Sequence, residues 1–497
     1  MAEKINFSDE DKIRLSKLAK IKDNNVNPYP SLASRDFSIR QIITDFSELA
    51  QGERVVSLAG RIRSLRLHGG SCFAHLEDES GKMQLYFKKD ELADGQYSFF
   101  TDCFDIGDFI SVKGRLFITK KGEKTVLVKE FNLLTKALLP LPEKWHGLKD
   151  VEIRFRRRYL DLLANPEVKK IFETRGQLIQ FIRNYLIKDG FLEVETPILQ
   201  PVASGAIAKP FKTHHQALNT DLYLRIAPEI YLKELIIGGF EKVFEIARCF
   251  RNEGIDFAHN PEFTQIELYW AYQDYNFLMD YTEKLLLALV KEINQSTVIE
   301  YNNQKIDFQP PYPKVDFHEI LLKETGIDLD GLNFESLKEM AEKKGLKTEK
   351  FWGKGKLADE LFKKFIRPKL INPTYVINHP IELSPLAKKI INRPGYVERF
   401  QLIVGGRIEL INAFSELNDP LDQEERFKQQ QELNQKGDEE AMNKDEEFVE
   451  ALKYGLPPTA GLGLGIDRLT NLLTKTHNIR EVILFPVLKP EPRINRE

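Results

Sequence analysis

Short segments in which apolar and polar residues alternate fill the chain from Val55 to Leu134. They read VVSLAGRIRSL, CFAHLED, MQLYF, FISVKGRLFIT and TVLVKEFNLL, and glycine-bearing turns separate them. Alternation with a period of two is the pattern of a β-strand that buries one face. The region is therefore predicted to form a small all-β domain of about five strands.

Two other regions carry apolar residues at helical spacing. Between Ile13 and Ile21 these residues stand among lysines, and the turn-rich stretch NPYP follows. This predicted helix could contact RNA phosphates, or it could pack one stripe on its own domain. From Val168 to Asp189 the spacing predicts a longer amphipathic helix that ends at Asp189-Gly190.

Beyond the long helix, strands and helices mix without a regular βαβ alternation, which favours an antiparallel α+β fold. The sequence from Asn333 to Lys364 predicts inserted surface helices, and QEERFKQQQELNQKGDEEAMNKDEEF predicts a polar helical pair. The proline-containing stretch ALLPLPEKWHGLKD predicts a linker. We accordingly divide the chain into a helical N-terminal extension (1–50), the β-domain (51–140), the linker (141–152) and the α+β domain (153–497).

The bulk composition agrees with two or more domains. A chain of 497 residues is longer than one hydrophobic core usually serves. The net charge of −3 excludes a uniformly basic nucleic-acid binder but leaves room for a local basic face. Cys72, Cys103 and Cys249 lie far apart without a Cys-x-x-Cys spacing, so neither a zinc site nor a disulfide framework is predicted. Because the chain has no signal-peptide core and no long uncharged apolar run, we expect a cytoplasmic location and no membrane contact.

The β-domain offers the side chains that single-stranded nucleic acid requires. A barrel of the oligonucleotide-binding (OB) type takes single strands on one face, with stacked aromatic rings and basic groups. That mixture could come from Arg61, Arg63, Arg66, Phe73 and Tyr86. An aromatic residue in a strand more often belongs to the core, so this feature alone does not separate the two interpretations.

The segment VFEIARCFRNEGIDFAHNPEFTQIELYWAY predicts two strands joined by a loop. Strand alternation places Glu245 and Arg251 on one face of the first strand, and Phe263, Gln265, Glu267 and Tyr269 on one face of the second. Aromatic rings and both signs of charge on one strand pair could hold a nucleotide and a cationic ligand. A half-buried hairpin that turns its polar face to water is the alternative, and it leaves the aromatic residues unexplained.

The segment GLGLGIDRL places glycines at alternate positions of a strand that leads directly into a helix. Gly461, Gly463 and Gly465 would let another backbone or a ligand approach closely. Arg468, in the first turn of the helix, would then point back over the glycines. The spacing is not the Gly-x-Gly-x-x-Gly of dinucleotide sites, and the chain has no Walker-type Gly-Lys-Ser/Thr.

Two further segments carry weaker signals. In GGRIELINAFSELNDP, Asn412, Phe414 and Glu416 share one strand face and could hold a ligand with a carboxylate at one end and an ammonium group at the other. An edge strand with a polar outer face would give the same pattern. In GFLEVETPILQPVASGA, Pro197 interrupts a strand, which favours a sheet edge or an interface.

Taken in order, these segments resemble the motif set of class II aminoacyl-tRNA synthetases. GFLEVETPIL is similar to motif 1, FRNEG with HNPEFTQIEL to motif 2, and GLGLGIDRL to motif 3; the His-Ile-Gly-His and Lys-Met-Ser-Lys-Ser runs of the other class are absent. The β-domain and RIAPEIYLKELIIGG point to the aspartyl, asparaginyl and lysyl subgroup, and RFRRRYLDLL, PFKTHHQALNTDLYLRIAPE and NAFSELNDP are similar to the lysyl-tRNA synthetases in particular. The resemblance implies that L-lysine is activated with ATP and Mg²⁺ and transferred to tRNA(Lys), by a homodimer joined through the motif 1 region.

The resemblance also implies roles for individual residues. Arg251 would contact the α-phosphate and the lysine carboxylate, and Arg468 the γ-phosphate, so these two are the expected catalytic residues. The other ATP contacts would come from Glu253, His259, Phe263 and Glu409. The lysine pocket would comprise Gly205, Glu229, Arg251, Glu267, Tyr269, Asn412, Phe414 and Glu416. In the barrel, Arg66, Phe73, Gln84 and Glu130 would read the anticodon.

Lysine carries two ammonium groups and one carboxylate, so its pocket needs an excess of carboxylates. We expect Glu416 with Tyr269 at the ε-ammonium group, and Glu229 with Glu267 at the α-amino group. An aspartate pocket would need an arginine where Glu416 stands. Because the attacking carboxylate of lysine is already ionised at neutral pH, we expect catalysis by positioning and by charge neutralisation.

The expected Mg²⁺ site departs from the family pattern. Where the family places two acidic residues, this chain has Gln401 at the first position, and GGRIELIN is one residue longer than the usual spacing. Glu409 is the remaining acidic match, and an amide brings no negative charge to a metal ion. We predict that the extra residue forms a bulge near Arg407 to Glu409, which keeps Glu409 directed at the ATP pocket.

Three other functions compete with the charging of tRNA with lysine. An enzyme of the same subgroup could charge aspartate or asparagine instead. A synthetase-like binding or regulatory protein could keep the fold without aminoacylating tRNA; Gln401 favours it, whereas Arg251 and Arg468 weigh against it. The shorter paralogue that lysylates a protein lacks a barrel domain, so the β-domain disfavours it.

Overall fold

The computed structural model describes residues 8–51, 54–142, 148–349, 352–435, 442 and 444–490. The chain divides into two compact units, Met1–Gly147 and Leu148–Glu497. Parts of several predicted segments lie outside the described residues: 1–7 of the N-terminal extension, 52–53 of the β-domain, 143–147 of the linker, 350–351 of the inserted surface helices, 436–441 and 443 of the polar helical pair, and 491–497 of the α+β domain.

The first unit contains the predicted barrel. Its elements are α1 (Asp9–Asp23), α2 (Ile39–Thr44), α3 (Phe46–Leu49), β1 (Val55–His68), β2 (Ser71–Asp78), β3 (Gly81–Lys88), α4 (Gln96–Cys103), β4 (Phe109–Ile118) and β5 (Lys124–Thr135). The strands follow the order β1-β2-β3-β5-β4, and the pairing of β1 with β4 closes the barrel. The prediction of a five-stranded barrel is confirmed.

The predicted N-terminal helix forms as α1 and packs on the barrel. Ser8 caps it by accepting a hydrogen bond from the Asp11 amide, while the Asp11 carboxylate accepts one from the Ser8 amide. Arg14 is buried and donates to the carbonyl oxygens of Ile106 and Ala137. This guanidinium group is therefore committed to holding the helix against its own domain.

The second unit is the larger one. Its helices are α5 (Val151–Arg156), α6 (Arg158–Ala164), α7 (Pro166–Lys188), α8 (Glu229–Ile237), α9 (Tyr275–Asn294), α10 (Phe317–Thr325), α11 (Phe334–Lys343), α12 (Lys354–Phe365), α13 (Pro420–Gln435), α14 (Glu446–Lys453) and α15 (Ile466–Thr474). Its strands are β6 (Leu192–Glu193), β7 (Leu199–Gln200), β8 (Phe211–His215), β9 (Thr220–Leu224), β10 (Lys242–Phe250), β11 (Glu262–Ala271), β12 (Val298–Tyr301), β13 (Gln304–Asp307), β14 (Lys314–Asp316), β15 (Thr374–Pro380), β16 (Tyr396–Val404), β17 (Ile408–Ser415) and β18 (Thr459–Gly465).

A large sheet organises this unit, with the strand order β14-β15-β16-β17-β18-β11-β10-β6. The pairs β14–β15 and β10–β6 are parallel and the others are antiparallel, so the predicted antiparallel α+β fold is confirmed. β17 lies between β16 and β18, so the edge-strand interpretation of NAFSE is wrong. β6, from the segment GFLEVETPIL, does lie at an edge of the sheet, as its proline favoured.

The period-two pattern separates the two faces of the sheet. Apolar side chains such as Phe244, Leu268 and Leu464 belong to the main hydrophobic core, together with residues of α7, α9 and α15. The alternate positions of the same strands face the other side, where α8 contributes Leu232 to a second core cluster. One face of the sheet thus packs against the main core, and the other combines a smaller hydrophobic cluster with polar side chains.

The two predicted surface helices form as α11 and α12. They are more than a solvated insertion, because Leu337, Leu357 and Phe362 are buried in a core cluster that also includes Phe317 and Leu321 of α10. The long predicted helix forms as α7, and Gly190, with a φ of +86°, follows its C-terminal end. No helix of the described residues is long and apolar enough to cross a membrane.

Candidate active site

Three neighbouring strands assemble the candidate site on the polar face of the sheet. Across β11, β18 and β17, one row reads Glu267, Gly463, Asn412, and the next reads Tyr269, Gly461, Phe414. Glycine is therefore the middle member of each row. Because the middle strand carries no side chain here, the side chains of both flanking strands can lean over it. This is the close approach that the alternating glycines predicted.

Gly461 is much more tightly enclosed than Gly463. A Cβ atom at Gly461 would lie 2.1 Å from Glu416 Oε1 and 2.6 Å from Tyr269 Cε1. At Gly463 the nearest atoms, Asn412 O and Glu267 Cγ, would lie at an ordinary 3.8 Å. Of these two positions, Gly461 is the one whose missing side chain lets Glu416 and Tyr269 occupy their places.

Glu229, Glu267 and Glu416 are buried carboxylates at this site, and a further buried carboxylate on the same face, Glu245, is already paired with Arg225. Tyr269 Oη donates to Glu267 Oε2 at 3.1 Å, and Gln265 Nε2 donates to Glu267 Oε1 at 2.6 Å. Burial, and after it the Glu229 carboxylate, raises the pKa of Glu267 to about 8. Carboxylates gathered away from water repel one another, and a cationic ligand would relieve that repulsion.

An internal ammonium group lies between two of these carboxylates. Lys233, on α8, is fully buried; its Nζ donates to Glu229 Oε1 at 2.6 Å and lies 2.5 Å from Glu416 Oε2. The second contact is an ion pair that is not aligned as a hydrogen bond. Burial alone would lower the pKa of Lys233, but the Glu229 and Glu416 carboxylates outweigh it and raise the pKa above its ordinary value.

Gly205 brings a loop backbone against Glu229. Its φ of +92° lies in the region that favours glycine, and a Cβ atom there would be 3.3 Å from the Cβ atom of Glu229. A side chain at this position would both strain the loop and crowd the carboxylate. The loop therefore meets this side of the site with its backbone alone.

A half-buried arginine, Arg399, fixes the orientation of Asn412. Arg399 Nε donates to Asn412 Oδ1 at 2.7 Å, and its Nη1 donates to Leu383 O and to Ser384 Oγ. A guanidinium group has donors and no acceptor, so Asn412 must present its oxygen to Arg399. The Asn412 amide nitrogen is then the group that remains to donate a hydrogen bond to a ligand.

A second group of side chains has a surplus of positive charge. Arg468 Nη1 donates to Glu409 O at 2.8 Å, and Arg367 Nη2 lies 3.4 Å from Glu409 Oε2. Arg251 Cζ lies 5.0 Å from the centre of the Phe263 ring. Burial lowers the pKa of Arg468, the Glu409 carboxylate opposes that change, and the Arg251 and Arg367 charges add to the lowering. Guanidinium groups that lie this close together suit a polyphosphate ligand.

A β-bulge decides where Glu409 points. In the register of β16 with β17, Leu402 pairs with Ile411 and Ile403 pairs with Glu409, so Leu410 is the extra residue. Without a bulge, Glu409 and Asn412 would face opposite sides of the sheet, because three positions separate them. The bulge brings both onto one face. The predicted bulge is confirmed, one residue beyond the Arg407 to Glu409 segment.

The remaining predicted ATP and metal residues have contrasting surroundings. In the loop between β10 and β11, Glu253 is half-buried, and the exposed His259 has its Nδ1 atom 2.9 Å from Asp256 Oδ2. Gln401 is buried and is the register partner of Asn412 on β17. For Glu409, burial opposes ionisation, but the surrounding guanidinium groups, Arg367 first, lower its pKa. Glu409 is therefore an ionised carboxylate with arginine neighbours.

On the barrel of the first unit, the predicted anticodon residues lie on the outer surface. Phe73 pairs with Arg66 on one side and with Tyr86 on the other, and the Phe73 and Tyr86 rings stack at 4.5 Å. Gln84 Nε2 donates to Glu123 Oε2 at 2.7 Å. Glu130 is exposed, 3.7 Å from the Lys113 ammonium group. A half-buried stack on the outer surface, with polar groups beside it, can take an unpaired base.

Two of the barrel arginines have internal roles. Arg63 is buried and lies 3.1 Å from Glu77, so the prediction that it faces nucleic acid is wrong. Arg61 lies over the Phe109 ring at 4.2 Å and donates to Gly107 O. The register of β1 with β2 shifts between Ile62 and Ser64, and this irregularity changes which side chains of β1 point outwards. Strand alternation alone therefore does not predict the burial of Arg63.

Sequence reasoning missed three residues of the site: Lys233, Arg367 and Arg399. Lys233 stands four residues after Glu229 on a helix, and that spacing places two side chains on one face. This spacing is the signal in the sequence that could have identified Lys233. Arg367 and Arg399 come from segments whose neighbours in space are distant in sequence, and no local pattern marks them.

Comparison with known proteins agrees with this geometry. Residues 150–489 match the family model of class II tRNA synthetases (D, K and N), and residues 56–134 match that of the OB-fold nucleic acid binding domain. A lysine–tRNA ligase of Syntrophomonas wolfei is 48% identical over 98% of this chain and 98% of its own length. One from Pelotomaculum thermopropionicum is 48% identical over 96% of this chain and 94% of its own length. One from Aquifex aeolicus is 51% identical over 88% of this chain and 74% of its own length.

The motifs, the sheet that carries them and the full-length similarity agree with one another. The chain belongs to the class II tRNA synthetases, in the family of the lysine–tRNA ligases.

Proposed function

We propose that this chain activates L-lysine with ATP and transfers it to the 3′-terminal adenosine of tRNA(Lys), and that the buried carboxylate cluster selects the amino acid. Glu229, Glu267 and Glu416 carry the proposal, because three carboxylates on one pocket face suit a substrate with two ammonium groups. In an aspartate pocket the same charges would repel the substrate.

We assign the two ends of lysine as follows. Glu416, beside Tyr269, takes the ε-ammonium group, and Glu229 with Glu267 takes the α-amino group, aided by the backbone carbonyl of Gly205. The assignment is supported by the buried Glu416 Oε1, which has no hydrogen-bond partner in the part of the chain that the structure describes. Phe414, one row along from Asn412, lines the aliphatic part of the substrate.

Hydrogen-bond donors hold the lysine carboxylate in this proposal. Arg251 contacts it, and the Asn412 amide nitrogen, which Arg399 leaves available, donates to it. The carboxylate is ionised at neutral pH, so no base is required. One of its oxygens attacks the α-phosphorus of ATP in line, the bond to the bridging oxygen breaks, and pyrophosphate leaves. The 3′-terminal ribose hydroxyl of tRNA then attacks the carbonyl carbon of lysyl-adenylate, and AMP leaves with the former carboxylate oxygen.

ATP binds with its adenine on Phe263 and beside Glu253, and with its phosphates towards Arg251, His259 and Arg468. The close group of Arg251, Arg367 and Arg468 supports this assignment. Guanidinium groups stabilise the charge that develops as pyrophosphate leaves, and they are already in place before the reaction begins. Arg251 and Arg468 are the catalytic residues of this proposal.

We assign Mg²⁺ to the same region, with Glu409 as its carboxylate ligand. The ionised state of Glu409 fits this role, but its arginine neighbours and the neutral, buried Gln401 leave little negative charge for a metal ion alone. The donor set fits an ion that ATP brings with it, held largely by phosphate oxygens. When bound, such an ion would neutralise phosphate charge.

The barrel binds the tRNA anticodon in this proposal, through Arg66, Phe73, Gln84 and Glu130. The stacked Phe73 and Tyr86 rings on its outer surface support the assignment. We keep 1–50 as an N-terminal extension, 51–140 as the anticodon domain, 141–152 as the linker and 153–497 as the catalytic domain. The matches at 56–134 and 150–489 are compatible with these boundaries.

We further propose a homodimer joined through the motif 1 region, and a cytoplasmic location. Leu192 in the edge strand β6, and Ile198 and Leu199 shortly after it, are large apolar side chains exposed to solvent in a single chain. An exposed apolar patch at a sheet edge marks an interface. The buried, unpaired thiols of Cys72, Cys103 and Cys249 suit a reducing compartment.

ATP–pyrophosphate exchange with each amino acid separately tests the proposal. We expect exchange with lysine, and none above background with aspartate or asparagine. Exchange that depends on aspartate or asparagine, and not on lysine, would refute it.

A further inference from the structure

The proposed lysine pocket has one carboxylate too many for its substrate. Glu229, Glu267 and Glu416 are buried together, whereas lysine brings two ammonium groups. The substrate carboxylate is matched separately by Arg251 in the proposed function, on which this inference rests. A third buried carboxylate without a cation would be costly. The pocket therefore needs one internal positive charge.

Lys233 meets that requirement. It is fully buried on α8, one helical turn after Glu229, and its ammonium group contacts Glu229 at 2.6 Å and Glu416 at 2.5 Å. The rings of Phe414 and Phe448 lie 5.6 and 5.7 Å from Nζ. Two carboxylates and two aromatic rings thus surround the ammonium group, an environment that suits a cation.

The two oxygens of Glu416 have different surroundings. Neither oxygen has an aligned hydrogen bond among the described residues, but Oε2 forms the ion pair with the Lys233 ammonium group, whereas Oε1 passes over Gly461. An ionised carboxylate can accept from two cations at once, one on each oxygen. One oxygen is thus held by the protein, and the other remains to receive the substrate.

We propose that Lys233 is a positioning residue that determines specificity. Its ammonium group balances the surplus carboxylate and holds Glu416 so that one oxygen faces the ε-ammonium group of lysine. Once all three carboxylates are ionised, the Lys233 ammonium group leaves the pocket with a surplus of two negative charges, which matches a substrate with two ammonium groups.

Several charged groups face this cluster from neighbouring elements. Glu267 and Tyr269 lie on β11, Glu416 follows β17, and the Arg399 and Arg251 charges act on Glu229 and Glu267 respectively. Burial raises the pKa of Glu416, and the Lys233 ammonium group opposes that rise. If the ammonium group is removed, the cluster should take up an extra proton near neutral pH. Lysine binding would then have to release that proton.

The substitution Lys233→Met tests this inference, because it keeps most of the side-chain volume and removes the charge. We expect KM for lysine in ATP–pyrophosphate exchange to rise on the order of 100-fold at pH 7, with KM for ATP unchanged. We also expect log(kcat/KM) for lysine to rise more steeply with pH in this variant than in the parent enzyme, because one more proton must leave. A purely structural role would not change that slope.

Lys242→Met is a matched control. The Lys242 ammonium group lies 4.2 Å from the centre of the Trp270 ring and donates to Asp189 O, so the variant loses a buried-ring contact but touches none of the pocket carboxylates. We expect its KM for lysine to stay within about 2-fold of the parent enzyme. A Lys233→Met enzyme with the KM and pH profile of this control would overturn the inference.

Lys233→Ala is the second test variant, to be used if Lys233→Met does not fold. Its cavity faces Glu229 and Glu416 and should admit n-propylammonium, so millimolar propylammonium should restore lysine-dependent exchange or, if the variant is unstable, raise its unfolding temperature. 1-Propanol, which has the same shape without the charge, should do neither. Equal effects of the two compounds, or none from either, would refute the role of Lys233. Failure of the parent enzyme to use lysine would instead refute the proposed function.

Discussion

Replacing Gly461 with alanine should damage the amino-acid site without altering its chemistry. The new Cβ atom would lie 2.1 Å from Glu416 Oε1, and the closest ordinary contact is about 3.4 Å. Glu416 must therefore retreat by about 1.3 Å, and the Tyr269 ring, at 2.6 Å, must move as well. Both side chains are buried, so neither can swing into solvent.

The size of the effect follows from these distances. Misplacing a binding group by about 1 Å costs on the order of 100-fold in kcat/KM, equivalent to about 2.7 kcal/mol. Overpacking a buried position also destabilises the fold by about 1–3 kcal/mol. We therefore expect Gly461→Ala to lower kcat/KM for lysine in ATP–pyrophosphate exchange about 100-fold, while KM for ATP changes little.

Gly463→Ala is the matched control, two residues along the same strand face. Its Cβ atom would meet Asn412 O and Glu267 Cγ at 3.8 Å, which requires no movement. We expect its kcat/KM for lysine to fall much less than that of Gly461→Ala, because neither Glu416 nor Tyr269 has to move. Thermal unfolding of both variants separates loss of fold from loss of the site. A folded Gly461→Ala enzyme that is as active as Gly463→Ala would show that the positions of Glu416 and Tyr269 do not depend on a glycine at 461.

Three further predictions concern other parts of the account. Because the pKa of Glu267 is raised to about 8, its carboxyl group is protonated below that pH in the empty pocket, and the neutral acid attracts a cationic substrate less. The value of kcat/KM for lysine should therefore rise from pH 6.5 to 8 and level off above pH 8. Glu267→Gln should flatten that profile. Arg399→Met frees the Asn412 amide to rotate and should raise KM for lysine about 10-fold in pyrophosphate exchange; an unchanged KM would show that Asn412 needs no orienting partner. Phe73→Ala removes a stacking ring and should raise KM for tRNA between about 5- and 150-fold in aminoacylation, but leave tRNA-independent pyrophosphate exchange unchanged; a loss of both would place Phe73 in a structural role.

Local patterns predicted the strands that build the site because each strand buries one face. Alternation alone placed Glu267 and Tyr269 together, and it placed Gly461 on a face without side chains; the register confirms both. These inferences do not depend on which strands pair with one another. The period of two is a property of the backbone, so it survives in any sheet order.

The order of the strands was not available from the sequence. NAFSE could be read as an edge strand, and the structure places β17 in the interior of the sheet. Which strand pairs with which depends on contacts between distant segments, and those leave no mark on the local pattern.

The charged residues that contact the site residues were the least predictable part of the site. Glu416 and Lys233 meet only because α8 packs against the polar face of the sheet, and 182 other residues separate them in the chain. Arg399 likewise reaches Asn412 across a pair of strands. The sequence identified the carboxylates that a lysine site requires, but the internal cation that balances them could be recognised only from the packed structure.

Charging of tRNA(Lys) with radiolabelled amino acids measures the amino-acid selectivity of the whole reaction. The enzyme should charge this tRNA with lysine and not with aspartate or asparagine, and Glu416→Gln should lose most of the lysine charging while it remains folded. Charging with aspartate in place of lysine, or full lysine charging by Glu416→Gln, would contradict a lysine site built on these carboxylates.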